Sequence, residues 1–183
     1  GAGLIGRRHI EHILGCSEAT LASIIDPLPA ARELAQALNV DWFPSFQDIP
    51  SGQRPDGMIV ATPNHMHVAN GMDCIAAGIP ALIEKPLADA VAAAEALVDA
   101  AERAGVPLLT GHHRRHNPMI KRAKAEIDSG RLGQIVSVHG VFWLLKPDDY
   151  FDVAWRREKG AGPVFLNLIH DVDLLRYLVK KGL

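Results

Sequence analysis

The sequence contains few cysteines, few aromatic residues and no excess of charge of either sign. It has only 2 cysteines, which form no CxxC pair, so a disulfide framework is ruled out and a reducing compartment is favoured. The 19 basic residues are balanced by 21 acidic ones, which disfavours nucleic acid as a partner. No apolar run reaches the roughly 18 residues of a membrane span, and no signal-peptide pattern occurs. We therefore expect a cytoplasmic protein that binds neither nucleic acid nor membrane.

What is present is the composition of a globular protein, with 48% hydrophobic and 22% charged residues. The chain begins with Gly1 instead of Met, at a glycine-rich turn of a kind that normally follows a buried strand. It stops directly after an apolar helical pattern. We expect a fragment of a longer protein, cut at both ends.

Short Val- and Ile-rich runs alternate with helical patterns over the first 110 residues. Helices are predicted at 4–14, 30–38, 67–77 and 90–104, and strands at 21–25, 57–61, 79–83 and 106–110. Asp89 is the expected N-cap of the fourth helix, and residues 39–53 are mixed. This alternation is typical of an α/β protein with a doubly wound parallel sheet.

The pattern changes after Gly111. A basic loop at 112–118 leads into a predicted helix at 118–129, followed by a β-rich run at 134–145. A long polar segment then precedes a helix that begins at Pro163 or Val164 and ends at Val179. We therefore predict two domains, 1–111 and 112–183.

The first six residues form a complete G-x-G-x-x-G motif. Gly1 allows the tight turn, Gly3 lets the backbone approach a pyrophosphate, and Gly6 lets the helix pack on the sheet. Asp26 follows a predicted strand about 20 residues later, where a carboxylate can bond a ribose 2′-hydroxyl. Because a carboxylate repels a 2′-phosphate, NAD is favoured over NADP. A glycine-rich turn with an ordinary turn aspartate is the alternative.

Other polar residues follow the strands at the same predicted edge of the sheet. Thr62 and Asn64 follow one strand, and Glu84 and Lys85 follow the next. Ligands of open α/β sheets bind beyond the carboxyl ends of the strands. Lys85 could therefore donate a hydrogen bond to a substrate oxygen, although a solvated surface lysine is the alternative.

The last helical segment carries a second candidate group. His170 and Asp173 are three residues apart and share a helix face, and Asn167 lies one turn earlier. A carboxylate beside an imidazole suits proton transfer near neutral pH, although a surface ion pair is the alternative. The pairs and clusters of histidine at 65, 67, 112, 113 and 116 lack the partners of known metal motifs, so no metal is expected.

Taken together, these motifs resemble the Gfo/Idh/MocA family of nicotinamide-dependent oxidoreductases. The matching segments, in order, are residues 1–6, Asp26, 62–67, 84–86, 111–118, 160–163, His170 and Asp173. The resemblance implies a Rossmann domain, here without its first strand, and the start of an α/β domain with an open, mostly antiparallel sheet. It also implies a substrate that is a sugar, an inositol or a related polyol, and a homo-oligomer at full length.

The resemblance further implies roles for single residues. Lys85 would contact the reacting oxygen and the nicotinamide ribose, and His170 would be the acid/base. Asp173 would hold a substrate hydroxyl or orient His170, and Arg115 would border the substrate. The residues expected to border the cofactor are Gly1, Gly3, Leu4, Ile5, Gly6, Asp26, Thr62, Asn64, His67, Glu84 and Lys85.

The sequence departs from the family at one position. Many members carry Asp four residues before the histidine, and this chain has Leu166 there, followed by Asn167. An amide can bond a hydroxyl but cannot shuttle a proton. The expected activity is hydride transfer between a secondary alcohol and nicotinamide. A sensor without turnover and an inactive fragment of such a dehydrogenase are the alternatives.

Overall fold

A computed structural model describes residues 1–157, 162 and 164–179. The chain divides into two compact units, Gly1–Thr110 and Gly111–Leu183. The first unit contains parallel strands alternating with helices. In chain order its elements are α1 (Leu4–Leu14), β1 (Ser23–Ile25), α2 (Pro29–Leu38), β2 (Asp41–Phe43), β3 (Met58–Val60), α3 (His67–Ala76), β4 (Ala81–Ile83), α4 (Val91–Ala104) and β5 (Leu108–Thr110).

Every strand pairing in the first unit is parallel. β1 pairs with β2, with Ile24 opposite Trp42. β4 lies between β3 and β5, with Leu82 opposite both Ile59 and Leu109. Parallel pairing requires crossover connections, and the helices supply them. The α/β class expected from the alternation is therefore confirmed.

Two hydrophobic clusters hold the first unit together. The larger cluster joins β3 and β4 to α3 and α4, and its members Ile83 and Leu97 are fully buried. In α3, a Cβ at Gly71 would lie 2.7 Å from Ile83 Cδ1, so a larger residue there would require the Ile83 side chain to shift. The smaller cluster packs α2 against β1 and includes Ala2, from the glycine-rich turn.

Three details of the first unit differ from the predictions. β2 was not predicted, because residues 39–53 lack the length and alternation of a recognisable strand; Trp42 and Phe43 pair with β1 there. Asp89 is not the cap of α4: Ala90 occupies the N-cap with no side-chain hydrogen bond, because the helical backbone begins one residue later. The strands are also shorter than predicted, at three residues each.

The regular secondary structure of the second unit, in the residues that the structure describes, is helical. A short 3₁₀ turn (His113–His116) leads to α5 (Pro118–Asp128), where the Asn117 side chain accepts a hydrogen bond from the Met119 N–H and caps the helix. Two further 3₁₀ turns follow, at Asp148–Asp152 and Ala154–Arg157. A π-helical turn (Val164–Leu168) runs directly into α6 (Ile169–Val179), so the predicted final helix is confirmed from Val164 onward.

The predicted strand at 134–145 is wrong: no described residue of the second unit is in a strand. The segment keeps the composition of a strand, but Val136 is 92% exposed and Trp143 is 90% exposed. A strand forms only when a partner strand accepts and donates its backbone hydrogen bonds, and no described residue pairs with the segment 134–145. Gly160, Ala161 and Pro163 of the family pattern, and Lys180 to Leu183, lie outside the described residues.

Candidate functional site

The glycine-rich turn of the first unit lies between the carboxyl ends of β1 and β3. The Gly1 nitrogen donates a hydrogen bond to Ile25 O over 2.9 Å, and a Cβ at Gly1 would lie 2.7 Å from Ala61 O. A Cβ at Gly6 would lie only 2.0 Å from Gly1 O. Gly1 and Gly6 are therefore required for the close approach of the turn, of α1 and of the strand ends.

Gly3 differs from the other two glycines because a Cβ there would meet no atom within 4 Å. It is the N-cap of α1, and no side chain caps the helix. Its backbone thus borders open space at a helix N-terminus, where free N–H groups and the helix dipole favour an anion. Leu4 and Ile5 follow, with Leu4 71% exposed.

Asp26 directly follows β1, and the turn holds its carboxylate in place. One oxygen accepts the Ala2 N–H over 2.8 Å and the other accepts the Leu28 N–H over 2.9 Å. Its backbone is held as well, since Trp42 Nε1 donates to Asp26 O over 2.9 Å. Each carboxylate oxygen can accept a further hydrogen bond. The group can therefore accept from ligand hydroxyls beside the glycine-rich turn, and its charge opposes a phosphate.

Glu84 and Lys85 follow β4. Glu84 Oε1 lies 2.8 Å from His9 Nε2 of α1, and Glu84 Oε2 accepts the Lys85 N–H over 3.2 Å. Burial alone would raise the pKa of Glu84, but the bonds from His9 and from the Lys85 N–H outweigh it, so this pKa is lowered. Glu84 is thus an ionised group that ties the Lys85 turn to α1.

Thr62 and Asn64 follow β3. Thr62 Oγ1 donates to Asn70 Oδ1 over 3.0 Å, and Asn64 is buried. His67, the first residue of α3, is only 1% exposed. Its Nδ1 lies 2.7 Å from Pro86 O and its Nε2 lies 2.9 Å from Thr62 O. Both ring nitrogens of His67 therefore face backbone oxygens, so this side chain lies beneath the polar edge rather than at its surface.

These contacts join the ends of three strands. The glycine-rich turn contacts the ends of β1 and β3, and His67 connects the turn after β3 with the turn after β4. His9 was not among the predicted residues. No local pattern marks it, because its partner Glu84 lies 75 positions away in the sequence.

In the second unit, Arg115 holds Asp173. Arg115 Nε donates to Oδ2 of Asp173 over 2.9 Å while Nη2 donates to Oδ1, and His112 Nδ1 lies 3.7 Å from the same carboxylate. The hydrogen bonds to Asp173 raise the pKa of Arg115. Asp173 was expected to orient His170 or to hold a substrate hydroxyl. The structure places it, buried, in a two-point ion pair with Arg115, which was itself expected to border the substrate.

His170 is buried on α6, and its ring packs edge-on against that of His113 at a centroid distance of 4.9 Å. Leu166, at the position that is often Asp in the family, is buried as well. The Nδ2 of Asn167 is buried with no hydrogen-bond partner among the described residues. The π-helical turn thus presents an apolar side chain and an amide donor one turn before the histidine.

The described residues contain neither a candidate metal site nor a helix suited to spanning a membrane. No group of three or more His, Cys, Asp or Glu side chains within 1–157, 162 and 164–179 could hold a metal ion. In the same part of the chain, no helix combines the length and the apolar character needed to cross a membrane.

Comparison with known proteins covers nearly the whole chain. Residues 1–112 match the family model described as "Oxidoreductase family, NAD-binding Rossmann fold", and residues 120–182 match the "GFO/IDH/MocA C-terminal domain". The rhizopine catabolism protein MocA of Rhizobium meliloti is 30% identical over 97% of this chain and 55% of its own length. Myo-inositol dehydrogenase Hyg17 of Streptomyces leeuwenhoekii is 31% identical over 99% of this chain and 54% of its own.

Among solved structures, the WlbA dehydrogenase of Bordetella pertussis, in complex with NADH and UDP-GlcNAcA, matches with a TM-score of 0.87 and 31% identity. The match covers 98% of this chain and 53% of that one. The chain thus spans about half the length of the curated relatives that it matches. Residues 1–112 match the first of these family models and residues 120–182 match the second. This chain therefore belongs to the Gfo/Idh/MocA family of oxidoreductases.

Proposed function

We propose that this chain binds NAD and forms part of a dehydrogenase that oxidises or forms a secondary alcohol of a sugar, an inositol or a related polyol. One observation carries the cofactor assignment: the Asp26 carboxylate is held 2.8 Å from the Ala2 N–H, directly beside the open backbone of Gly3. In this arrangement a helix N-terminus faces an anion while a carboxylate accepts from ribose hydroxyls. The myo-inositol dehydrogenase Hyg17 and the WlbA dehydrogenase support the class of reaction.

The geometry of the first unit supports a set of residues that would hold the cofactor. Gly1, Gly3 and Gly6, with Leu4 and Ile5, would form the pyrophosphate turn, and Asp26 would accept from the adenosine ribose. Thr62, Asn64, Glu84 and Lys85 follow the other strand ends and would border the remaining part. When bound, NAD supplies the site of hydride transfer.

The remaining chemistry falls to side chains of the chain. The Lys85 ammonium would donate a hydrogen bond to the reacting oxygen, which stabilises negative charge as that oxygen loses its proton. The His170 imidazole would accept the hydroxyl proton during oxidation and return it during reduction. Asn167 would donate to a substrate hydroxyl through Nδ2. Asp173 would hold a substrate hydroxyl or orient His170, and its ion pair would hold Arg115 at the border of the substrate.

A sensor without turnover is the second candidate, and Leu166 favours it. An apolar side chain at that position can neither accept nor pass on a proton. Dehydrogenase and sensor share the cofactor site and differ in turnover. A panel of inositols and sugars with NAD and the full-length protein separates them, since tight cofactor binding without turnover on any substrate would favour the sensor.

The first experiment is a titration of this chain with NADH and with NADPH, followed by quenching of tryptophan fluorescence. Trp42 is a suitable reporter because its indole N–H bonds Asp26 O. Saturable binding with NADH preferred is expected, and a preference for NADPH would contradict the role of Asp26.

For turnover, Lys85→Met in the full-length protein should lower kcat strongly, whereas Lys121→Met, on the exposed surface of α5, should not.

Three broader features belong to the same proposal. The domains would divide at 1–111 and 112–183, the full-length protein would be a homo-oligomer, and it would act in the cytoplasm. The family membership supports the division into two domains and the homo-oligomer, and the low cysteine content supports the cytoplasm. Light scattering of the full-length protein tests the oligomeric state directly.

A further inference from the structure

Histidines contact the residues on both sides of Lys85. His9 contacts Glu84 before the lysine, and His67 contacts Pro86 after it. Before it, Glu84 contacts His9 of α1 at 2.8 Å and also accepts the Lys85 N–H. After it, the Pro86 carbonyl oxygen lies 2.7 Å from Nδ1 of His67. The backbone on both sides of Lys85 is thus tied to a neighbouring helix.

The contact made by His67 has the stronger geometry of the two. Its imidazole is 1% exposed, so water does not compete for its nitrogens, whereas the His9 side chain is 22% exposed. Its second nitrogen lies 2.9 Å from Thr62 O. The ring therefore spans the turn after β3 and the turn after β4.

We propose that His67 is a positioning residue for Lys85. It connects the Pro86 carbonyl to the turn at Thr62 and thereby fixes the position of the Lys85 backbone after the end of β4. His9 acts in the same way through Glu84, as a weaker second tether. This inference rests on the proposed role of Lys85 in the dehydrogenase.

The physical reason is that a long lysine side chain reaches a defined point only if its backbone is fixed. Displacement of a catalytic group by about 1 Å can cost roughly 100-fold in rate. A loosened turn should therefore lower kcat much more than it weakens cofactor binding, because the glycine-rich turn and Asp26, which would hold the pyrophosphate and the adenosine ribose, keep their contacts with the end of β1.

The test uses substitutions that each keep one contact. The amide nitrogen of His67→Asn corresponds to Nδ1 and can donate to Pro86 O, whereas that of His67→Gln corresponds to Nε2 and can donate to Thr62 O. His67→Ala removes both, and His65→Ala, an exposed histidine two residues away, is the matched control. In the full-length protein we expect kcat to fall roughly 10- to 100-fold in the alanine variant, with the NADH Kd within about three-fold.

Comparing kcat of the two amide variants shows whether the contact with Pro86 O or the contact with Thr62 O positions Lys85. His67→Asn should keep more of kcat than His67→Gln, because it preserves the bond to the residue next to Lys85. Equal kcat in all the variants and wild type would overturn the proposal, and so would the reverse order. Because an unfolded fraction would lower the apparent kcat without changing the NADH Kd, kcat is normalised to the concentration of NADH-binding sites given by the amplitude of the titration.

Hydrogen exchange gives a readout that does not depend on turnover. In this chain, His67→Ala should speed amide exchange in the peptide around residues 84–88 by about ten-fold or more, while β3 and β4 keep their protection. His65→Ala should change neither. Uniform exchange in the 84–88 peptide of all variants would overturn the positioning role even if the enzyme is active. Absence of turnover in the wild-type protein would instead reject the proposed dehydrogenase.

Discussion

Arg115 and Asp173 form a two-point ion pair across the second unit, joining the 3₁₀ turn at His113–His116 to α6. The Asp173 side chain is 8% exposed and the Arg115 side chain is 42% exposed, so the carboxylate is the more desolvated partner. A second pair, Arg114 with Asp171, connects the same two elements at 3.0 Å, but its carboxylate is more exposed, at 37%. The two neighbouring arginines therefore allow the same interaction to be compared in buried and exposed settings.

We expect Arg115→Ala to destabilise the protein by about 1–3 kcal/mol, because it leaves a buried carboxylate without its main donors. Arg114→Ala should cost about 0–1 kcal/mol, as is usual for exposed pairs. Urea unfolding followed by circular dichroism measures both. Equal costs for the two variants would show that burial of Asp173 does not set the strength of its pair.

Asp26 should control the choice of cofactor. Asp26→Asn keeps an acceptor but removes the charge, so NADH binding should weaken roughly ten-fold while NADPH binding improves, since repulsion of the 2′-phosphate is lost. Fluorescence titration with both cofactors checks this. Asp41→Asn, at the exposed start of β2, is the control and should leave both affinities as in wild type.

The three glycines of the turn should separate into two classes. Gly6→Ala should destabilise the fold by about 1–3 kcal/mol or more, because its Cβ would lie 2.0 Å from Gly1 O. Gly3→Ala meets no atom and should cost about 1 kcal/mol or less, yet it should weaken NADH binding more than ten-fold by filling the space of the pyrophosphate. Thermal melts and NADH titrations of both variants would reveal the difference. Normal NADH binding by Gly3→Ala would contradict the proposed turn.

Glu84 should make stability depend on pH in the acid range. Its pKa is lower in the folded protein than the ordinary value of 4.5, so its ionised form stabilises the fold above that pH. This contribution should be lost as the pH falls through the lowered pKa. The difference in Tm between wild type and Glu84→Gln should therefore be largest near neutral pH and shrink below about pH 4. Glu11→Gln, which breaks an exposed pair with Arg8, should show little effect at any pH.

The two cysteines should differ in reactivity. Burial raises the pKa of the Cys74 thiol to about 11, whereas Cys16 is exposed. A disulfide reagent at pH 8 should therefore modify one thiol in the folded chain and two after denaturation. Cys16→Ser should abolish the reaction of the folded chain. Rapid reaction in that variant would show that α3 opens to expose Cys74.

The alternation of helices and strands and the motif at the chain start were sufficient to predict the α/β class and the family. Helix periodicity and glycine spacing are local properties, so α1, α2 and α4 were placed within a few residues. β2 was not recognised, because three residues carry too little pattern. The run at 134–145 was misassigned because strand formation depends on a partner as well as on side-chain preference.

The sequence by itself determined which residue types stand at the ends of the strands: the three glycines, Asp26, and Glu84 with Lys85. Only the tertiary structure decided which of them contact one another. It paired Asp173 with Arg115, buried His67 between two carbonyl oxygens, and brought His9 to Glu84. These contacts join residues from 5 to 75 positions apart, and most of them are long-range. Local patterns cannot encode them, because packing of helices against the sheet sets which side chains meet.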